Sequence, residues 1–132
     1  MNENSLKGMK IVWIEDDKFL GKMITKRFAP TGADLVQVTD GAVAFDAVRD
    51  NKPDIIMLDL LLPNVDGFEV LRRIKADEAT RDIPVIVLSN LGQKDEVARI
   101  RELGVDKFFV KASIGLDGII PEILRIVGHK IL

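Results

Sequence analysis

Residues 53–64 read PDIIMLDLLLPN, and the apolar run within it, residues 55–62, contains a single carboxylate, Asp59. Pro53 and Pro63 bound the run, and we predict one buried strand over residues 54–58. A lone carboxylate buried among Ile, Met and Leu costs several kcal/mol unless another group pairs with it. The stretch therefore indicates a strand that ends beside Asp59 and delivers this carboxylate to a polar site.

Four more apolar runs of this kind occur along the chain, and each of the five is followed by a segment with helical spacing of its apolar residues. We predict strands over residues 10–14, 34–38, 54–58, 83–88 and 107–110. The helices between and after them are marked by apolar residues within 20–28, 44–48, 68–74, 97–103 and 119–127. Continuous apolar strands that alternate with helices favour an α/β fold, a parallel sheet covered by helices on both faces.

Polar residues follow directly after four of the predicted strands. In an open α/β sheet, ligands bind outside the carboxyl ends of the strands. The residues that the pattern places there are Glu15, Asp16, Asp59, Ser89 and Lys111. We therefore expect the chemistry of this chain at that edge of the sheet.

The residue types at these strand ends suit a metal and an anion. Three carboxylates at one edge repel one another, and a hard divalent cation removes that repulsion. Ligands that include no Cys or His favour Mg²⁺ over zinc. Lys111 adds a positive charge and Ser89 a hydroxyl donor, so the set can hold a phosphoryl group bonded to Asp59.

Composition excludes several classes of function. The 132 residues fit one domain, and 47% hydrophobic with 30% charged residues is typical of a globular protein. A net charge of -2 gives no electrostatic footprint for nucleic acid, and the lack of cysteine excludes a thiolate zinc site. No apolar run approaches the ~20 residues of a membrane helix, and residues 1–10 hold no apolar signal region. We expect a cytoplasmic protein that contacts neither membrane nor nucleic acid.

The motifs together resemble one family. They are Glu15-Asp16 after IVWI, Asp59 in DIIMLDLLLPNVDGFEVL, Ser89 in PVIVLSN and Lys111 in FFVKA. In this order they resemble the receiver domain of bacterial two-component response regulators, over residues 9–128. The resemblance implies a doubly wound, flavodoxin-like fold with five parallel strands in the order 2-1-3-4-5 and five flanking helices. Residues 1–8 are then an N-terminal extension and residues 129–132, with His129, a tail after the last helix.

The resemblance also implies a chemical role for the carboxylates. Asp59 would accept a phosphoryl group from a phosphohistidine on a histidine kinase or a histidine phosphotransfer protein. Asp16, Asp59 and the backbone carbonyl of Leu61 would bind Mg²⁺ directly, while Glu15 would act through water. The chain would thus catalyse its own phosphorylation without turning over a separate substrate.

The remaining site residues would bind and report the phosphoryl group. Ser89 and Lys111 would contact its oxygens, and Phe108 occupies the family's aromatic switch position. The output would be a contact with a downstream protein, because few residues remain after the last predicted helix; otherwise the chain is an excerpt of a longer regulator.

Two positions depart from the common family pattern. Ala112 follows Lys111 where proline is usual, and a cis peptide before a residue other than proline costs about 2.5–4 kcal/mol. Asn90 follows Ser89 where a small residue is usual, and we expect its side chain to narrow the entrance to Asp59.

The resemblance also places two apolar residues, Leu61 and Leu91, at the positions that flank the path of an attacking water. We therefore expect slow self-dephosphorylation.

Three other functions compete with this interpretation. A dehalogenase-like phosphatase needs a second Asp as general acid where this chain has Leu61. A flavodoxin-like cofactor binder needs a phosphate loop rich in small residues after the first strand, where this chain has EDDK. A degenerate receiver that acts only as a protein-interaction module would lack Asp59 or Lys111, and both are present.

Overall fold

Strands and helices alternate along the computed structural model, which describes residues 5–60, 66–89, 94–105, 107–110 and 116–131. The strands are β1 (Lys10–Ile14), β2 (Asp34–Val38), β3 (Ile55–Asp59), β4 (Val85–Ser89) and β5 (Lys107–Val110). The helices are α1 (Lys18–Phe28), α2 (Gly41–Asn51), α3 (Gly67–Ala76), α4 (Lys94–Glu102) and α5 (Leu116–Ile131). The predicted α/β alternation is confirmed.

The strands form one parallel sheet in the order β2-β1-β3-β4-β5. The chain runs from β1 to one edge of the sheet, then returns past β1 and continues to the other edge. This change of direction leaves a crevice beyond the carboxyl ends of β1 and β3, where open α/β sheets bind ligands. The doubly wound, flavodoxin-like fold and its strand order are therefore confirmed.

The apolar strands build a core on each face of the sheet, because successive strand residues point to opposite sides. On one side, Val12 and Ile14 of β1 join a buried cluster with residues of α2, α3 and α4. On the other side, Ile11 and Trp13 join a cluster with residues of α1 and α5. Helices thus cover both faces of the sheet, and the polar groups lie at the carboxyl ends of the strands.

Two strands extend further toward their carboxyl ends than their apolar residues predict. β3 includes Asp59, which pairs with Leu88, and β4 includes Ser89, which pairs with Val110. A parallel ladder is held by backbone hydrogen bonds, so it continues past the last apolar side chain. The two polar residues are therefore members of the strands rather than of the loops after them.

Helix α5 is longer at both ends than the predicted range of 119–127. It runs from Leu116 to Ile131, so His129 lies within the helix and not in a tail after it. The extra residues carry no periodic apolar pattern, and a helix propagates through them because each added residue gains a backbone hydrogen bond. Among the described residues, no helix combines the length and apolarity that crossing a bilayer requires.

Part of the predicted N-terminal extension packs onto the core. Ser5–Gly8 form a turn, and the Leu6 side chain is fully buried against the cluster on the α1 and α5 side. The Leu6 N–H donates to the Thr31 carbonyl at 2.8 Å. The chain is therefore anchored before β1 begins.

Candidate functional site

Three carboxylates meet beyond the ends of β1 and β3. One carboxylate oxygen from each of Glu15, Asp16 and Asp59 lies within 4.8 Å of the other two. Glu15 and Asp59 are 1% and 5% exposed, whereas Asp16 is exposed. The structure thus brings together the three acidic residues that the sequence places at this edge, two in the protein interior and one at the rim.

Asp59 owes its position to the central strand β3. Every residue of this strand is buried, and Asp59 is the last residue in its ladder with β4. The neighbouring Leu58 and Leu60 are also buried. The strand holds the carboxylate at the crevice, so the single charge within the apolar run 55–62 belongs to a polar cluster.

Glu15 continues the β1 ladder by one residue. Its N–H donates to the Val38 carbonyl at 2.9 Å, and its own carbonyl accepts from the Gln37 side-chain amide at 3.2 Å. Sequence reasoning missed Gln37. The available signal was a polar residue between the apolar Val36 and Val38 in the strand DLVQV.

Asp17 has a different task from its acidic neighbours. It is the N-cap of α1, and its side chain accepts from the Leu20 N–H at 3.0 Å. Its carbonyl accepts the Gly21 N–H at 2.9 Å as the first turn of the helix begins. Asp16 therefore lies between a fixed strand end and a fixed helix start.

Helix α3 begins in close contact with the residue that follows Asp59. The Gly67 N–H donates to the Leu60 carbonyl at 3.1 Å, and a Cβ added at Gly67 would lie 2.5 Å from the Leu60 Cα. No larger residue fits there without displacing backbone. Asp66 caps the helix by accepting from the Phe68 N–H at 2.8 Å. The helix start at Asp66-Gly67 thus also sets the approach of α3 to the strand end.

The other predicted site residues are described in part. Ser89 is the last residue of β4, the strand beside β3, one position beyond the partner of Asp59. Lys111 follows Val110, the last residue of β5, and lies outside the described residues, as does Leu61. Leu91 and Ala112 also lie outside them.

The donor set fits a hard divalent cation. Three carboxylate oxygens within 4.8 Å of one another concentrate negative charge, and two of them come from buried residues. Like charges this close repel, and burial adds a desolvation cost for each ionised group. A bound Mg²⁺ or a similar cation, which prefers oxygen ligands, offsets both costs. Zinc sites favour thiolate and imidazole ligands instead.

A family model identifies the class of protein from most of the sequence. The model described as the response regulator receiver domain matches residues 11–119. The chain belongs to this family. It is therefore a phosphoacceptor signalling domain of two-component systems, a class whose members interact with histidine kinases and with downstream targets.

One curated relative of this receiver domain is the DNA-binding dual master transcriptional regulator RpaA of Synechocystis sp.. The two are 37% identical over 102 residues, which cover 77% of this chain and 42% of RpaA. The receiver domain thus spans less than half of the length of that relative.

Two solved structures extend the similarity to the fold. The Mn²⁺-bound form of response regulator Rcp1 is 30% identical with a TM-score of 0.73, and the match covers 78% of this chain and 81% of Rcp1. The phosphorylated cyanobacterial phytochrome response regulator RcpA is 31% identical with a TM-score of 0.74, covering 90% and 91% of the two chains. This receiver domain is thus similar to one protein solved with a divalent cation and to one solved in a phosphorylated state.

Proposed function

We propose that Asp59 is the residue that receives the phosphoryl group. The observation that carries this proposal is its place in the acidic cluster, where a buried carboxylate stands at the end of the central strand and faces a crevice. A carboxylate oxygen of Asp59 attacks the phosphorus of a phosphohistidine. The new P–O bond forms as the P–N bond breaks, and the histidine nitrogen leaves with the bonding electron pair.

Mg²⁺ is the cation that we assign to the cluster. Asp16 and Asp59 would hold it directly together with the Leu61 carbonyl, and Glu15 would act through water. The donor chemistry and the Mn²⁺ in the related Rcp1 structure support a hard divalent cation here. When bound, it neutralises negative charge on the phosphoryl oxygens and the carboxylates. Burial keeps Glu15 and Asp59 in place before the cation arrives.

Ser89 and Lys111 complete the proposed site. Ser89 ends the strand adjacent to Asp59, and Lys111 follows the last residue of β5, the strand beyond it. From the carboxyl edge of a parallel sheet, a hydroxyl donor and an ammonium group can reach the same phosphoryl oxygens. Their role is to stabilise the negative charge of the transferred group.

The phosphodonor is a phosphohistidine on a histidine kinase or a histidine phosphotransfer protein. Helix α1 begins two residues after Asp16 and presents Phe19 and Met23, which are 74% and 42% exposed, one turn apart. Apolar side chains exposed beside the site suit a docked protein donor. The phosphorylated domain would then act on a downstream protein, and we place it in the cytoplasm with such kinases.

Incubation with acetyl phosphate and Mg²⁺, followed by intact mass, tests the proposal. The wild-type chain should gain the mass of one phosphoryl group, and Asp59→Asn should gain none. Asp66→Asn is the matched control, because it also removes a carboxylate but leaves a residue that caps helices well; it should be phosphorylated like the wild type. An adduct that persists on Asp59→Asn would refute the assignment, and a wild type that stays unmodified would favour the degenerate, interaction-only receiver.

A further inference from the structure

Asp16 depends on its backbone for its position more than the other members of the cluster do. Glu15 and Asp59 are buried and surrounded by the fold, whereas Asp16 is exposed and occupies a bend between β1 and α1. On its C-terminal side, Asp17 is fixed as the α1 cap. On its N-terminal side, the peptide that joins Glu15 to Asp16 sets the direction in which the chain leaves the strand.

The Gln37 side chain holds that peptide. Its Nε2 donates to the Glu15 carbonyl at 3.2 Å, while the Glu15 N–H is already bonded to the Val38 carbonyl of the same strand. Because a peptide unit is planar, an oriented Glu15 carbonyl also orients the Asp16 N–H and the departure of its Cα. Gln37 thus acts on the cluster through the backbone carbonyl of Glu15.

Gly21 provides the space in which the Gln37 amide lies. A Cβ added at this position of α1 would lie 2.1 Å from Nε2, 2.2 Å from Oε1 and 2.4 Å from Cδ of Gln37. Glycine is otherwise a poor residue for a helix interior. Even the methyl group of alanine would displace the amide from the Glu15 carbonyl, so a helix residue and a strand residue jointly maintain one hydrogen bond.

We infer that Gln37 is a positioning residue for the divalent cation site and that Gly21 makes this role possible. The inference rests on the proposed function, in which Asp16 is a direct ligand of the cation. It adds a requirement outside the site: the cation affinity depends on the hydrogen bond from Gln37 to the Glu15 carbonyl.

Titration of Mg²⁺ by calorimetry tests this role in the full chain. Gln37→Met keeps the length of the side chain without its donor, and Gly21→Ala displaces the donor. Each should raise the Mg²⁺ dissociation constant by about three- to tenfold, the effect of one net hydrogen bond on an equilibrium. Because both act through the same bond, the double variant should bind no more weakly than the weaker single variant. Val43→Ala, a neutral change on the exposed surface of α2, is the control and should bind like the wild type.

Two further measurements separate positioning from folding and from the cation proposal. In cation-free protein, the carbonyl carbon resonance of Glu15 should move in Gln37→Met, because it reports the hydrogen bond directly. Gly21→Ala should keep or raise the melting temperature, since alanine favours the helix. If the wild type binds Mg²⁺ and Gln37→Met binds it with equal affinity, this inference alone is overturned. A wild type without Mg²⁺ binding would overturn the cation site and the inference with it.

Discussion

Adjacent aspartates in this receiver domain perform opposite tasks. Asp16 belongs to a cluster of carboxylates within 4.8 Å of one another, and Asp17 accepts a hydrogen bond from the start of α1. Without a cation, the first position adds repulsion, while the second satisfies a backbone N–H that the helix leaves unbonded. The same side chain is therefore destabilising at one position and stabilising at the next.

This difference predicts opposite changes in the free energy of unfolding. In a buffer with chelator, Asp16→Ala should raise it because the carboxylate repulsion falls. Asp17→Ala should lower it by about 1 kcal/mol, the typical cost of a lost N-cap. Urea denaturation followed by circular dichroism measures both.

Mg²⁺ should make the wild type more stable than Asp16→Ala, which reverses the difference in the free energy of unfolding expected without the cation. A ligand that binds only the folded state stabilises it, so the wild type should gain stability with Mg²⁺ concentration and Asp16→Ala much less. Asp17→Ala serves as the control and should gain as the wild type does. Equal gains for all three chains would contradict a cation site that includes Asp16.

The acidic residues of the site could be predicted from the sequence, while one of their supports could not. Glu15, Asp16 and Asp59 each follow an apolar run, and parallel strands bring their carboxyl ends to one edge. The bond from Gln37 to Glu15 joins residues 22 positions apart and depends on β2 lying beside β1. The polar residue in DLVQV could have drawn attention to Gln37, but no local pattern identifies Glu15 as its partner.

At the scale of elements, α3 carries a charged network on its exposed side. The Glu69 carboxylate accepts from the Arg72 Nε at 2.9 Å and from the Arg73 Nε at 3.2 Å. The hydrogen bond from Arg72, with that from Arg73, lowers the pKa of Glu69 from 4.5 to about 2. The ionised form of Glu69 is thus the one that the helix stabilises.

The network predicts a pH dependence with a defined sign. Because the folded pKa of Glu69 lies below the unfolded one, its stabilising effect is fully present above pH 4.5 and is lost as the pH falls towards 2. Solvent screening keeps the effect on stability small at this exposed site. Titration of the Glu69 carboxyl carbon by NMR should show the low pKa, and Arg72→Ala should raise it towards 4.5.

Arg73→Ala is the matched variant of this experiment. It removes the weaker of the two hydrogen-bond effects on Glu69, so the pKa should rise less than in Arg72→Ala. Identical titration midpoints of Glu69 in the wild type and in Arg72→Ala would show that the ion pair of Glu69 with Arg72 does not persist in solution.

The bounds of an element follow from the sequence only where packing decides them. The strands β1, β2 and β5 have the predicted ranges, because in each of them the apolar run ends where the strand ends. α5 starts at Leu116, although Pro121 is typical of a first helical turn and so favours a later start. Its end at Ile131 lies beyond the last apolar period. Backbone hydrogen bonding sets both ends, and side-chain patterns report it poorly.

For the whole molecule, phosphorylation at one edge must change a surface elsewhere by shifting a population between two arrangements. Helix α3 starts against Leu60, and its Phe68 ring lies 3.9 Å from the Arg99 guanidinium of α4. α4 therefore has a direct contact with a helix that begins beside the site. α2 also packs against α3, but it follows β2, the edge strand farthest from β5. Residues 90–110, in contrast, lie between the two proposed contacts of the phosphoryl group, Ser89 and Lys111.

Activation should therefore affect residues 90–112 and α2 unequally. With Mg²⁺ and beryllofluoride, which mimics an aspartyl phosphate, we expect larger changes in the amide resonances of residues 90–112 than in those of α2. Asp59→Asn should show neither change, which controls for binding elsewhere. Shifts of equal size in both regions would contradict a localised switch.

The strand order also has a consequence for how the chain acquires its structure. β1 is synthesised first, yet one of its two neighbours is β3, and Lys10 and Asp54 bond across 44 residues at the start of that pairing. Closing so long a loop is entropically costly, and contacts of large sequence separation slow folding. On the ribosome, β1 can pair with β2 early but keeps an open edge until residue 59 has emerged. The acidic cluster takes its members from β3 and from the end of β1, so it forms in the same late event that closes the centre of the sheet.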